Sequence, residues 1–370
     1  MTEQLAVRNI FINVPLGNEE KLSTEEIAQY FYALNSELKQ LLTKYQFPYP
    51  IETVYFASEI ADDKHLDKIA DLLKHMRDVF TFSPNSEISL ELHPADYSQE
   101  NLNHLARLGL NRVVLKQYSF VDKFVDMLFI KTDEADYREL LSKLRTADIN
   151  NISTDLVYNF PGQTQAQLEQ DLKILSENNI DHIYISDFNT YNYHSVYPNP
   201  DLDREREFYW FIVNYLKEQG YSHDELFALA KASRHSKHNH AYWNSREYLG
   251  LGAQAAGYIN AERYRNPDDL SDYVIRVKEQ RPYEIDESLS MSDKKQEFFI
   301  LSLNKLSGFS AGEYRDIFAE SWPVEIDEIL LKLMRENYML LTKGRYSLSS
   351  KGIDYLDTVL LEFFVDNLFI

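Results

Sequence analysis

Ser153–Leu172 reads STDLVYNFPGQTQAQLEQDL. With Asn151 and Ile152 ahead of it, the first part (NISTDLVYN) is rich in apolar and β-branched residues and reads as a strand. Pro161 and Gly162 then make a turn. Thr164 stands where a helix N-cap belongs, and QAQLEQDLKILSENN follows as the helix. The same turn also admits an anion site, with free backbone N–H groups near Gln163 and Thr164; the turn-and-cap reading is the simpler of the two.

This strand–turn–helix unit recurs on both sides. NIFINV (Asn9 to Val14) is followed by a helix in which Ser23 and Glu26 form a capping box. TVYFAS leads into LDKIADLLKHMRDVF, EISLEL into QENLNHLARLGL with Gly109 as its C′ residue, and RVVLKQYSF into EADYRELLSKLRTA. HIYISDFNT leads into REREFYWFIVNYLKEQG. Strands alternating with helices mean βαβ units on a parallel sheet. The count is about six pairs, short of the eight of a closed TIM barrel, so the expected fold is α/β, a partial, TIM-like (β/α)6 barrel. After the last pair the pattern loosens into the histidine-rich HSKHNHAYW and the glycine-dense YLGLGAQAAGY. The polar EIDESLSMSDKK suggests a boundary near residue 287 between domains 1–286 and 287–370. The second domain shows helices, a hairpin (MLLTKGRYSLSS) and a last helix from Gly352, a winged-helix-like order.

Of the 370 residues, 38 are Lys or Arg and 59 are Asp or Glu, a formal net charge of −21. Such a surface repels phosphate backbones and anionic lipid. The few basic residues near the wing, Lys343, Arg345 and Lys351, do not offset it, so no nucleic-acid partner is expected. With no cysteine the chain has no disulfide, no thiolate nucleophile and no thiolate-held cluster or zinc. No signal peptide or membrane span is visible, so a cytoplasmic protein without stable membrane insertion is expected. The amphipathic TVLLEFFVDNLFI reads as a docking helix rather than a membrane helix, because it lacks basic residues.

Three stretches resemble the oxygen-independent coproporphyrinogen III oxidase-like radical S-adenosylmethionine (SAM) family, and within it the haem chaperone (HemW-like) branch. They are STDLVYNFPGQTQAQLEQDL, against D-L-[IV]-Y-G-L-P-G-Q-T; HNHAYW, against H-N-x-x-Y-W through His238, Asn239, Tyr242 and Trp243; and YLGLGAQAAGY, against Y-L-G-[IL]-G-A-G-A-H-S-Y. Weaker likeness runs through EISLELHPADYSQENLNHLARLGLNRVV and YSLSSKGIDYL, so the resemblance covers nearly the whole chain in order.

The departures fall at the radical centre. FINVPLG, Phe11 to Gly17, stands for the family's YIHIPFC, with Asn13 for its histidine and Gly17 for its first cysteine, and the rest of the cluster loop is missing. Ala57, Ser58, Glu59, Ile60 and Ala61 replace a G-G-G-T-P turn, Tyr118 a glutamine, and Phe129, Ile130, Lys131 and Thr132 a G-R-x-H stretch. Glu91 and Asp155 match carboxylates that contact SAM. The resemblance therefore implies a pseudoenzyme: a haem- or porphyrin-binding, haem chaperone-like protein with no [4Fe-4S] cluster and only a residual SAM pocket at Glu91 and Asp155. It implies haem bound by His238, Asn239, Tyr242 and Trp243, with His238 on the iron, and a haem-acceptor protein as partner. By pattern alone, Tyr242 and Trp243 read first as core aromatics with a structural His238, and His235, His238 and His240 admit a zinc reading with no fourth ligand. The alternative functions are an oxygen-independent coproporphyrinogen III oxidase-like enzyme of porphyrin metabolism, using Glu91 and Asp155 as acid–base groups without SAM, and a non-catalytic interaction protein.

Overall fold

The computed structural model describes residues 3–16, 22–58, 63–128, 134–188 and 201–364. Six parallel strands lie side by side in chain order: Asn9–Val14, Ile51–Ser58, Phe82–Leu92, Arg112–Tyr118, Asn151–Tyr158 and His182–Asp187. Helices Thr24–Lys44, Leu66–Val79, Gln99–Arg107, Glu134–Thr146 and Gln165–Glu177 link them, and Leu202–Glu218 follows the sixth. The expected capping box of Ser23 with Glu26 forms, Thr164 caps its helix as expected and closes a further box with Gln167, and Gly109 takes its expected place with φ +100°. The strands alternate sharply. Ile88, Leu90, Val113, Leu115, Ile152 and Ile183 are buried in the main core, while the residues between them, such as Arg112, Ser153, Asp155 and His182, are polar and line an inner cavity. The inner face of this sheet is thus built for polar contacts.

Among the described residues the first and sixth strands do not pair, and the sheet runs on past both to twelve strands. Beyond the sixth come Ala228–Ala230 and Ser222–Glu225, both antiparallel. Beyond the first comes Tyr248–Leu251, parallel to it, and then Ala256–Ile259, Glu262–Arg265 and Glu284–Ser288, all antiparallel. The glycine-dense stretch that loosens the sequence pattern is therefore sheet. Its glycines permit close approach: a Cβ on Gly250 would lie 1.9 Å from the Ala256 carbonyl oxygen, and one on Gly257 2.1 Å from the Tyr264 ring. Glu37 anchors this region from the first helix, accepting from the Gly252 N–H at 2.9 Å, Asn266 Nδ2 at 2.8 Å and Tyr273 Oη at 2.7 Å. Burial pushes its carboxyl up to about 6 despite those donors.

The two ends of the sheet are finished differently. Next to Ser222–Glu225, the Leu226 N–H donates to Asn304 O at 2.9 Å and the Leu306 N–H to Asp224 O at 2.9 Å, so the segment 304–306 covers that edge. The other edge strand, Glu284–Ser288, is exposed throughout, and Arg263, Arg265 and Arg276 pair with its Glu287, Asp286 and Glu284.

The strand Glu284–Ser288 carries the chain across residue 287. Helices Met291–Ser302, Ala311–Phe318 and Val324–Arg335 then precede the hairpin Met339–Thr342/Arg345–Leu348. The second of these is an element the sequence reading lacks, and two short helices, Ser350–Asp354 and Leu356–Leu361, stand where one was expected. Phe298, Phe299, Phe309, Tyr314, Leu330 and Phe363 build a core separate from the main one.

A polar cavity closed by the His238–Trp243 helix

HNHAYW folds as part of the helix Lys237–Trp243, which Ser236 caps. The helix packs on the inner side of the sheet. Its first two free N–H groups, on Lys237 and His238, donate to Glu87 at 3.2 and 3.3 Å, an acidic partner suited to the positive end of a helix.

His238 is 1% exposed and stacks on Tyr55 at 5.2 Å between ring centroids. Its Nδ1 lies 2.7 Å from Thr53 Oγ1, whose hydroxyl donates to Asn9 Oδ1 at 2.9 Å. The hydroxyl proton is thereby spent, so Nδ1 donates and Nε2 keeps its lone pair. That lone pair accepts the Tyr242 hydroxyl at 2.8 Å. Burial holds the ring neutral, with its pKa down to about 3, and Arg112 adds to the effect. Iron ligation by His238, as the resemblance implies, thus requires the Tyr242 hydroxyl to leave. Tyr242 itself is no ready phenolate, since burial pushes it well above the usual tyrosine range.

Asn239, Tyr242 and Trp243 do face a cavity of about 240 Å³, and Glu91 and Asp155 line the same cavity. The fold therefore brings together five of the six expected site residues and sets His238 behind Tyr242. Lys116, which sequence reasoning missed, stands between the two carboxylates. Its Nζ lies 2.7 Å from Asp155 Oδ2 and 3.1 Å from Glu91 Oε1. Burial opposes its charge, but Asp155 and Glu91 hold the ammonium well above the ordinary lysine range. Glu91 also accepts from Tyr55 Oη at 2.6 Å and the Ser58 N–H at 3.2 Å. Both carboxylates are thus occupied by the chain's own cation.

Trp243 Nε1 donates to Glu225 Oε2 at 2.9 Å. The other oxygen of Glu225 lies 3.4 Å from His240 Nε2 and 3.9 Å from His182 Nε2. Burial alone would raise this carboxyl, but the two imidazoles and the indole N–H hold it well below its usual range. His235 stacks on His240 at 4.5 Å, while His238 is turned to Thr53 and Tyr242. The three histidines of the zinc reading therefore do not converge, and no group of three metal-binding side chains is gathered among the described residues.

At the Pro161–Gly162 turn, Asn159 adopts φ +64°, donates to Asp187 Oδ2 at 2.7 Å and accepts from Arg204 Nε at 2.7 Å. Thr164 accepts from the Gln167 N–H at 3.4 Å, which supports the turn-and-cap reading. Asn13, in the place of the family's histidine, donates to Ala253 O at 2.9 Å and ties the first strand to the glycine-rich segment. Gly17, Glu59, Ile60, Ala61 and Phe129 to Thr132 lie outside the described residues. The radical chemistry of the fold class needs cluster thiolates, and this chain, without a cysteine, has no donor set for them.

The architecture is that of a radical SAM enzyme. The structure of Escherichia coli coproporphyrinogen III oxidase (HemN), described as a radical SAM enzyme, superposes with a TM-score of 0.77 over 97% of this chain and 90% of that one, at 18% identity. By sequence the chain is a cysteine-free homologue of proteins named heme chaperone HemW. It is 24% identical to that of Lactococcus lactis over 327 residues and 25% identical to that of Bacillus subtilis over 331, covering 86% of both chains in each case. It is also 24% identical over 373 residues to a putative heme chaperone HemW-like protein of Buchnera aphidicola, covering 96% of this chain and 98% of that one. No family model matches. No helix among the described residues is long and apolar enough to cross a membrane.

Proposed function

We propose that this protein binds haem or a related porphyrin and passes it to an acceptor protein, without radical chemistry of its own. The observation that carries this reading is the convergence of Asn239, Tyr242 and Trp243 on one cavity with Glu91 and Asp155. The relatives named heme chaperone support it. The cavity is about 240 Å³, smaller than a macrocycle, so an arm of the porphyrin enters it, with Tyr242 and Trp243 as aromatic walls and Asn239 as an amide beside it. His238 becomes an iron ligand only if the Tyr242 hydroxyl turns away from Nε2. The main sheet, through its last strand Glu284–Ser288, forms the porphyrin-binding unit, and the chain from Met291 onward an accessory domain, a division a few residues past the expected boundary that the two separate cores support.

The test is a haemin titration of the full chain, followed by absorbance and tryptophan quenching, with Trp243→Ala and His238→Ala beside the wild type. Saturation at one equivalent, weakened by Trp243→Ala, supports the reading. An absence of saturable binding refutes it. A Soret band unchanged in His238→Ala removes His238 from the iron while leaving the cavity in place.

A further inference from the structure

One cation of the inner cavity is short of hydrogen-bond partners. Arg112, the first residue of the fourth parallel strand, is 2% exposed and lines the cavity. A guanidinium carries five N–H donors and does not shed its proton. Among the described residues Arg112 makes one long hydrogen bond, from Nη1 to Ser89 Oγ at 3.4 Å, and its buried Nε has no acceptor. The nearby carboxylates are turned elsewhere: Glu91 and Asp155 to Lys116, Glu87 to the helix start, and Glu225 to Trp243. A buried guanidinium with one long hydrogen bond, an unmatched Nε and no carboxylate turned to it is unfavourable, so the site has room for a further acceptor.

We propose that Arg112 is the docking point for a carboxylate of the ligand; resting on the porphyrin reading above, that carboxylate is a propionate arm. The planar guanidinium matches a carboxylate in a two-bond fork, which a neutral acceptor cannot fill as well. The size of the cavity agrees. Ligand sites for whole drug-sized molecules run from about 300 to 1,000 Å³, so about 240 Å³ holds an arm of two methylenes and a carboxylate rather than a whole macrocycle. Lys116 is already matched by two carboxylates and does not compete for the arm.

The experiment compares haemin, haemin dimethyl ester and sodium propionate on the full-length wild type, Arg112→Met and Arg112→Lys, reading binding by tryptophan quenching and stability by thermal unfolding. The wild type should bind haemin about tenfold or more tighter than the diester, as expected for charge-assisted hydrogen bonds, and Arg112→Met should bind the two alike. Ligand-free Arg112→Met should melt no lower than the wild type, because it removes an unpaired buried charge. Equal affinity of the wild type for haemin and its diester would overturn the Arg112 assignment and leave haem binding intact. If neither porphyrin binds but propionate raises the wild-type melting temperature and not that of Arg112→Met, the anion site stands and the porphyrin reading falls. A large fall in melting temperature for Arg112→Met and Arg112→Lys alike, without ligand, would show that the guanidinium is satisfied within the protein and refute the proposal.

Discussion

Lys116→Met offers a direct check on the electrostatics of the inner cavity. The ammonium sits 2.7 Å from Asp155 and 3.1 Å from Glu91, and the side chains of all three are only 12–18% exposed. Removing the lysine leaves two nearly buried carboxylates facing each other. Breaking a buried ion pair by deleting one partner costs about 3–5 kcal/mol; because some solvent still reaches these groups, the lower end, about 3 kcal/mol, is expected. That is a large share of a typical folding stability of about 5–15 kcal/mol. Urea unfolding followed by tryptophan fluorescence reads it as a midpoint lowered by about 1 M for a slope near 3 kcal/mol/M. The loss should also depend on pH. Without the lysine, burial and mutual repulsion raise both carboxyls, and one takes up a proton on mild acidification. The deficit at pH 5 should therefore be smaller than at pH 7.5. A loss below about 1 kcal/mol, or one equal at both pH values, would refute the reasoning.

Stability should fall on acidification from about pH 6.5 towards 4. Burial lowers His93 and His223 to about 4 and His238 to about 3, from 6.5, so the unfolded chain binds protons there that the folded chain does not. Glu37 at about 6 and Asp171 at about 7 act in the opposite sense, losing stability as pH rises, but three histidines outweigh two carboxyls. Unfolding midpoints between pH 4.5 and 7.5 check the sign. Gly250→Ala should cost at least about 1–3 kcal/mol, because the new methyl meets the rigid Ala256 carbonyl, whereas Gly344→Ala, with open space around it, should be felt only through its φ of +77°. His238→Ala should cost about 2–4 kcal/mol in chemical unfolding even without ligand, since it leaves the hydroxyls of Thr53 and Tyr242 short of a buried partner.

The six parallel strands are legible because each is a compact apolar run followed by a helix with clear end signals, as at Ser23–Glu26 and Thr164–Gln167. The four strands between Tyr248 and Ser288 are not. Each has only four or five residues, and the glycines that suggest a loop are there to let strands and the Tyr264 ring approach closely. Within the site, Glu91 and Asp155 stand out only through the resemblance, while Lys116 and Arg112 look like ordinary strand residues. A signal was available: in RVVLKQY two cations four apart share one face of a strand that, in a parallel sheet covered on both sides, is usually apolar throughout. The role of His238 is not legible in the sequence, because its partner Thr53, and Asn9 to which Thr53 donates, come from two strands far away in the chain.

The treatment of the two ends of the twelve-stranded sheet bears on how the molecule behaves in a crowded solution. A bare edge strand offers unpaired backbone groups to any other extended chain and is a template for aggregation. One end here is covered by the segment 304–306. The other is an exposed strand that carries Glu284, Asp286 and Glu287, each paired with an arginine. A second molecule arriving edge to edge would have to desolvate these charged pairs to reach the strand's backbone, so self-association through the open edge is disfavoured while the site on the inner face stays free to work.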